Sequence, residues 1–460
     1  MLLNRASDPV WFTRNVLGHD PWEIPEAVMR GIANPRARVA VKACHSVGKT
    51  HTAAEIVLWW VCTGGIAITT APSWTQVKRV LWGEIHKAHA GARYPLGGTL
   101  NLTEYRLAAD RYAMGISTDE GVRFQGFHGR VLIVLDEAPG IRPDIYEAIE
   151  GVRAGGDVRI LALGNPTVAS GPFYDAFATN RVGWQTFTVD AFDTPNLRGW
   201  TFADCQNMEA DDPALDYCPR PYLTTRRWVW EKLREWGERS PMWQSRVRGA
   251  FPDQAEDALI ALAWLERARV PGEGGGEWFA GLDVAGPGED ETALVIRQGQ
   301  QVVSRQAWTK PDPRGDVLAA LAPYRHREIT VNVDSIGIGY GMALHIQDEG
   351  YTTNFINVGE ASQDPEKYLN LKAELYWVLR ERFQAGEVCG LDDDLTISQL
   401  AGIRYEHNSR GKIVIESKEA AQRRGVKSPD RAEALMLAFA ESDDPITPMA
   451  ANPRPAFIVR

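Results

Sequence analysis

An α/β protein in two domains is predicted by three observations. The first half alternates short apolar runs with amphipathic stretches, the pattern of a parallel sheet covered by helices. A glycine- and proline-rich break, PGEGGGE at residues 271–277, interrupts that pattern. A second series of strands begins after it, and two of them end in aspartate. A chain of 460 residues is also too long for one core.

Expected strands of the first half lie at 38–42, 66–70, 131–135 and 159–163, with an amphipathic helix at 74–89. Residues 53–62 form the richest apolar run. Glu55 interrupts it and it falls short of membrane-spanning length, so it reads as a buried helix. Residues 224–248 (TTRRWVWEKLREWGERSPMWQSRVR) read as helical and rich in Trp and Arg, a small subdomain closing the first domain and a candidate lever or DNA-facing element. Past the break come a strand at 278–282, a hairpin through 292–297 and 301–308, a strand at 329–333, and helices near 367–384 and 430–441. The proline-rich last residues read as a tail. The expected division is therefore 1–195, 196–270, 275–442 and a tail at 443–460.

Hydrophobic content of 44% and charged content of 24% are ordinary globular values. The first residues lack the apolar core of a secretory leader. Five scattered cysteines argue against a disulfide framework or a zinc site and for a reducing cytosol. A net charge of −10 disfavours coating nucleic acid by bulk attraction, but not local grip. Basic residues cluster at 220–248 and 418–431.

Residues 43–50 read ACHSVGKT between the apolar VAVK and the helical HTAAEIVLWW. This is the phosphate-cradling loop pattern, with Ala43 in place of its first glycine. Cys44, His45, Ser46, Val47 and Gly48 would wrap phosphates with backbone N–H groups. Lys49 would place its charge on the β and γ oxygens, and Thr50 would offer a hydroxyl to Mg²⁺. An apolar strand further on ends in Asp136-Glu137. There Asp136 would bind the Mg²⁺ through water and Glu137 would act as general base. Together these residues predict a P-loop ATPase domain. Asn165, in the GNPT turn after the strand at 159–163, would face the same crevice and sense the γ-phosphate, an ordinary GNP turn being the competing reading. Arg123 and Arg130 are candidate arginine fingers. Trp22 would pack near the adenine, a core tryptophan being the competing reading.

In the second half, GLDVAGPGEDETAL delivers Asp283 at a strand end, followed by Glu289 and Asp290. ITVNVD ends in Asp334. KSPDRAEAL places Asp430 and Glu433 three apart at a helix start, hence on one face, with Asp430 also a good N-cap candidate. Acids on two strand ends and a helix suit a two-metal phosphodiesterase, carboxylates being hard oxygen ligands for Mg²⁺ or Mn²⁺. Lys418 and Arg424 would contact a phosphate backbone or form a solvated basic face. His345 and His407 read as structural.

With these motifs, and with TTAPSWTQVKRVLW, LGNPT, WGERSPMWQSRVRGAFP and VDSIGIGYG, the chain from about Trp11 to Glu441 resembles the large terminase subunit of tailed double-stranded DNA bacteriophages. The resemblance implies a P-loop ATPase domain with a parallel sheet and helical lid subdomain, then an RNase H-like nuclease domain. It implies ATP with Mg²⁺, and Mg²⁺ or Mn²⁺ at the nuclease site. Lys49 and Thr50 become the nucleotide-loop residues, Asp136 and Glu137 the metal-binding and catalytic acids, and Asn165 part of the coupling motif. Asp283, Asp334 and Asp430 become the nuclease ligands, with Asp290 and Glu433 accessory. Implied partners are double-stranded DNA, the portal of a procapsid, a small terminase subunit and further copies in a ring, expected as a pentamer. The implied setting is the host cytoplasm and, transiently, the portal vertex, with no membrane partner. Glu23 stands where many relatives carry Gln after the tryptophan. Two other readings compete. One is a cellular helicase or translocase with an appended nuclease, which would need a second ATPase-type domain. The other is a non-catalytic assembly module that only binds DNA or the portal.

Overall fold

The computed structural model describes residues 5–117, 126–178, 181–252, 257–286, 290–423 and 428–441. The chain divides into two compact units, Met1–Gln254 and Ala255–Arg460.

The first unit is a layered α/β body on an eight-stranded sheet of order β3-β4-β5-β2-β6-β7-β1-β8. Its parallel strands are β5 (Arg111–Gly115), β2 (Ile66–Thr70), β6 (Arg130–Leu135), β7 (Asp157–Gly164), β1 (Arg38–Ala43) and β8 (Gln185–Val189). β3 (Thr99–Asn101) and β4 (Glu104–Ala108) extend β5 as an antiparallel meander. Strands β1, β2, β6 and β7 are buried nearly throughout, as a sheet covered on both faces requires. Ile133, Leu135, Ile160 and Ala162 form part of that core. The apolar run at 53–62 lies inside the buried helix Lys49–Cys62, as its composition suggested. The expected helix at 74–89 is three continuous pieces, Trp74–Gln76, a π-turn Val77–Leu81 and Trp82–Ala90. The Trp- and Arg-rich segment forms two helices, Arg226–Trp236 and Pro241–Arg246.

The second unit carries a five-stranded sheet of order β11-β10-β9-β12-β13. β9 (Trp278–Asp283), β10 (Thr292–Gln298) and β11 (Gln301–Trp308) form an antiparallel meander, and β12 (Thr330–Asp334) and β13 (Thr352–Ile356) continue it in parallel from β9. This mixed order, 3-2-1-4-5 within the unit, is the arrangement expected of an RNase H-like fold. Leu282, Leu294, Ile296, Val331, Val333 and Ile346 build its core. The helix Asp430–Ala438 lies directly on β9. A Cβ on Gly281 would come within 2.1 Å of the Ala434 carbonyl oxygen, so only glycine permits this approach.

One boundary falls elsewhere than expected. Residues 257–270, grouped from the sequence with the helical subdomain, belong to the second unit. The Leu259 amide donates to the Ile403 carbonyl, and Leu262 and Leu265 of the helix Leu262–Arg267 are buried. The glycines at 274–276 therefore lie inside this unit rather than between two bodies.

Candidate functional site

The P-loop follows β1 without a break. Ala43 is the last residue of β1, in register with Val189, and its φ is not positive, so an alanine serves where the pattern has glycine. The turn needs left-handed backbone at Ser46 (φ 52°) and Gly48 (φ 84°), and Gly48 caps the helix Lys49–Cys62. Lys49 Nζ donates to the Cys44 carbonyl at 2.9 Å, folded back over the loop. Thr50 Oγ1 lies 3.3 Å from Asp136 Oδ2, across the sheet from the end of β6. β7 lies between β1 and β6, which delivers Asn165 to the same edge. Its side-chain amide donates to the Ala43 carbonyl at 2.6 Å. Gly164, just before it, has no room for a side chain, because a Cβ would lie 2.3 Å from Pro139.

These groups border a cavity of about 810 Å³. Trp22, His45, Ser46, Val47, Gly48, Lys49, Thr50, Glu137 and Asn165 line it. Ala43 and Cys44 lie beneath the loop, and burial pushes the Cys44 thiol well above its ordinary value. Trp22 is buried, and its indole N–H has no partner among the described residues. Asp136 is only 2% exposed. Burial and the neighbouring Glu137 push its carboxyl up to about 7, against the opposing pull of Lys49. Glu137 holds left-handed backbone (φ 49°), a strained conformation for a residue with a side chain, costing on the order of 1 kcal/mol.

Several expectations are corrected here. Arg130 does not reach the nucleotide crevice of its own chain. It sits at the first residue of β6, at the far end from Asp136. Its guanidinium stacks 3.9 Å from the Trp60 ring and donates to the Thr63 carbonyl at 2.5 Å. Arg123 lies outside the described residues. Glu23 does not line the cavity; it is exposed and pairs with Arg198 at 2.7 Å. The sequence reading missed the segment that braces the loop. The Thr224 amide donates to the Ser46 carbonyl and the His45 amide to the Arg246 carbonyl. Arg246 Nη1 approaches His45 Nε2 at 2.6 Å. Arg220, anchored on Asp20 at 2.9 Å, forms another wall, as do His19, His51, Glu55 and Glu84.

In the second unit, β9 and β12 are parallel neighbours in a register that places Asp283 and Asp334 side by side at their C-terminal ends. The helix packed on Gly281 brings Asp430 and Glu433 to the same place. Asp283, Asp430 and Glu433 are buried, and Asp334 is half-buried. Burial raises the carboxyls of Asp283 and Asp334 above the usual range, and negative neighbours add to it: Glu433, Asp430 and Asp334 for the former, Glu433 for the latter. Burial also raises Asp430. Two ammonium groups oppose this charge. Lys372 Nζ lies 2.7 Å from Glu433, and Lys418 Nζ lies 3.6 Å from Glu433 and 3.7 Å from Asp430.

Asp430 is the first residue of its helix rather than the N-cap, which is Pro429. Its carboxylate instead accepts from the Glu291 amide at 2.9 Å and from the Ser428 hydroxyl. Asp290 is exposed and acts on Asp430 through its charge. Glu289 and Arg424 lie outside the described residues. Lys418, its side chain partly exposed, is paired with the cluster. Tyr376, fully buried with its hydroxyl unpartnered, feels the charges of Glu433, Asp283 and Asp430, and no motif pointed to it.

No family model matches the chain. A probable terminase large subunit of Enterobacteria phage P7 is 28% identical over 330 residues, 67% of this chain and 63% of that protein. The chain thus spans less than two thirds of that relative's length. Among solved structures, the HK97 bacteriophage large terminase covers 94% of this chain and 99% of its own at 13% identity, with a TM-score of 0.38. A nuclease domain of the large terminase subunit of bacterial virus Sf6 with manganese covers 40% of this chain and 99% of its own at 19% identity, with a TM-score of 0.37. Scores this low do not establish a shared arrangement. In sequence, the chain is similar over 67% of its length to a phage large terminase subunit, which bears out the resemblance carried by its motifs.

Proposed function

We propose that this chain is the subunit of a DNA-packaging motor. It hydrolyses ATP to drive double-stranded DNA through the portal into a procapsid, and it cuts concatemeric DNA with a separate metal-dependent nuclease. The observation that carries this reading is one polypeptide holding both a complete phosphate-binding crevice and a buried cluster of four carboxylates against two lysines.

In the crevice, the oxygens of Thr50 and Asp136 lie 3.3 Å apart, a hard-donor pair that fits Mg²⁺. A divalent cation bound there supplies charge neutralisation to the β- and γ-phosphates. The loop amides and Lys49 hold the phosphates, and Lys49 would leave the Cys44 carbonyl to do so. Glu137, fixed by its strained backbone, orients the attacking water and accepts its proton. Asn165 stands where loss of the γ-phosphate alters its hydrogen bonding. The contacts of Thr224 and Arg246 with the loop supply a path from there to the two Trp- and Arg-containing helices.

In the second unit, the surplus of buried carboxylate over ammonium and the all-oxygen donor set fit Mg²⁺ or Mn²⁺. Such cations supply Lewis-acid stabilisation of a pentavalent phosphate. Asp283, Asp334 and Asp430 would hold them, with Glu433 and Asp290 accessory, while Lys418 is placed to contact a phosphate oxygen. Because DNA must be gripped without reading its sequence, backbone contacts should dominate and binding should weaken with salt.

A small terminase subunit, a pentameric ring on the portal and residence in the host cytoplasm complete the proposal. So does the division into an ATPase core at 1–195, a lid from 196, a nuclease that takes in 257–270 as well as 275–442, and a tail at 443–460. Among the described residues no helix is long and apolar enough to cross a membrane. The test is reciprocal. Asp334→Ala should abolish metal-dependent cleavage of plasmid DNA and leave ATP turnover intact, and Lys49→Ala should do the reverse. Normal cutting by Asp334→Ala would overturn the nuclease assignment.

A further inference from the structure

One cluster in the wall of the nucleotide crevice is used by neither proposed reaction. Glu55, one turn along the P-loop helix from His51, is 2% exposed. A single oxygen of its carboxylate, Oε1, meets two imidazoles: His19 Nδ1 at 2.8 Å and His51 Nε2 at 3.3 Å. The two rings lie 4.9 Å apart. The donor atoms of the three residues all fall within 4.8 Å of one another.

We propose that His19, His51 and Glu55 form a binding site for a late first-row divalent cation of the Zn²⁺ class, with its open coordination position facing the nucleotide cavity. Three features carry this. First, two imidazoles and a carboxylate are a donor set that zinc takes with one position left open. Second, tetrahedral bonds of about 2.0–2.1 Å put ligand atoms about 3.3–3.4 Å apart; His51 and Glu55 already stand at 3.3 Å, and the 2.8 Å between His19 and Glu55 would have to open by about half an ångström. Third, the other nitrogen of His51, Nδ1, lies 3.2 Å from Glu84 Oε2, and Glu84 is itself held by Lys87. A carboxylate behind a histidine fixes the ring and its tautomer and makes the ligating nitrogen more basic. His19, His51, Glu55 and Glu84 all line the cavity that also holds the P-loop, so the open position faces the space a nucleotide would enter. Oxygen-only donors would suit Mg²⁺, whereas imidazole selects against it. This site therefore differs in kind from the carboxylate cluster. An imidazole nitrogen must be free of its proton to bind a cation, so uptake weakens as pH falls.

The proposal stands independently of ATP hydrolysis or DNA cleavage. The full chain is stripped with a chelator and titrated with Co²⁺, whose four-coordinate complexes with nitrogen ligands absorb far more strongly in the visible than six-coordinate oxygen complexes. One equivalent should produce the intense band in the unaltered protein and equally in Asp334→Asn, which disables the carboxylate cluster. His51→Ala and His19→Ala should lose the band. Glu84→Gln, which leaves all three ligands in place, should weaken Co²⁺ and Zn²⁺ binding by roughly 10–100-fold in competition with a chromophoric chelator. It also guards against a histidine variant that fails to fold. Absence of the band in the unaltered protein would overturn the site, as would unchanged affinity in Glu84→Gln or in folded histidine variants. Loss of the band in Asp334→Asn would assign the cobalt to the other unit and overturn it equally.

Discussion

In the nucleotide crevice, the groups that would face phosphate are largely main chain. One turn of helix and a loop of consecutive residues present them, with Lys49 and the acids Asp136 and Glu137 at the end of β6 as charged additions. In the second unit the polar groups are all side chains, drawn from two strand ends and a helix about 150 residues apart in sequence. The phosphate loop of the first is a local device, a strand turning into a helix over consecutive residues, although Asp136 and Asn165 reach it across the sheet. The second exists only if the sheet register and one helix-to-strand contact are right. Both should respond to loss of a key side chain, and the second should respond more than the phosphate loop to a packing change with no chemistry in it.

The sharpest way to break that contrast is at the chemical groups. Asp334→Ala should lower DNA cleavage by at least about 10³-fold, because a carboxylate that would hold the cation is gone. ATP turnover should stay within about twofold of the unaltered protein. Glu137→Gln should lower ATP turnover by about 10²–10⁴-fold while nucleotide binding persists, since the general base is lost and the loop is not. Single-turnover hydrolysis beside equilibrium binding of a fluorescent nucleotide reads both quantities. Equal loss of binding and turnover would show that Glu137 shapes the crevice rather than serving the reaction.

Gly281→Ala tests the convergent character of the second site. The added methyl would lie 2.1 Å from the Ala434 carbonyl oxygen and 2.2 Å from the Ala438 nitrogen, so helix and strand must part. Overpacking of this kind costs about 1–3 kcal/mol and would carry Asp430 and Glu433 away from Asp283. Cleavage and Mn²⁺ affinity should both fall by about tenfold or more with ATP turnover unaffected. An unchanged Mn²⁺ affinity would mean that the helix can shift without moving the cluster.

How much of this was legible follows from the same contrast. Strands β1, β2, β6 and β7 and the helix behind the P-loop were readable because each is a continuous apolar run buried on all sides. β3, β4 and β8 were not, because their burial is partial and leaves no run of apolar residues. GKT and the Asp-Glu pair could be read singly, whereas Asp283, Asp334 and Asp430 gained meaning only as a set. His19, His51 and Glu55 carried no signal at all. His51 and Glu55 stand four apart on one helix face, but His19 lies far from both in sequence, and Glu55 read merely as a break in an apolar run. Arg130 misled because its nearness to Asp136 in sequence spans the length of a strand in space.

The acid in the crevice offers a pH test with a definite sign. Without a bound cation, Asp136 is pushed up to about 7, chiefly by burial. A raised carboxyl is protonated below that pH and must lose its proton to serve a cation. Affinity for Mg²⁺-nucleotide should therefore be nearly constant above about pH 7 and fall by up to about tenfold for each unit below it. Isothermal titration with a non-hydrolysable analogue at pH 8 and pH 6 measures this. Asp136→Asn should bind weakly and flatten the profile. A profile of the same shape in that variant would place the titration elsewhere.

The smallest effect should come from Arg130, and it separates structure from catalysis within the first unit. Arg130 and Arg159 both pack on the Trp60 ring, at 3.9 and 4.5 Å. Arg159 also donates to the Ile32 carbonyl at 2.9 Å and pairs with Asp157 at 2.7 Å. Burial draws the Arg130 guanidinium below its ordinary value, with Arg159 adding to the effect. Removing it takes away a stacked cation worth about 0.5–2 kcal/mol and leaves the Thr63 carbonyl without its donor. Arg130→Ala should lower the unfolding midpoint of the first unit by a few degrees. Turnover per folded molecule should not change, because the side chain lies at the opposite end of β6 from Asp136. A finger, by contrast, would cost about 10³-fold or more in turnover with no loss of stability. The two outcomes differ in kind, so one thermal melt and one turnover assay decide between them.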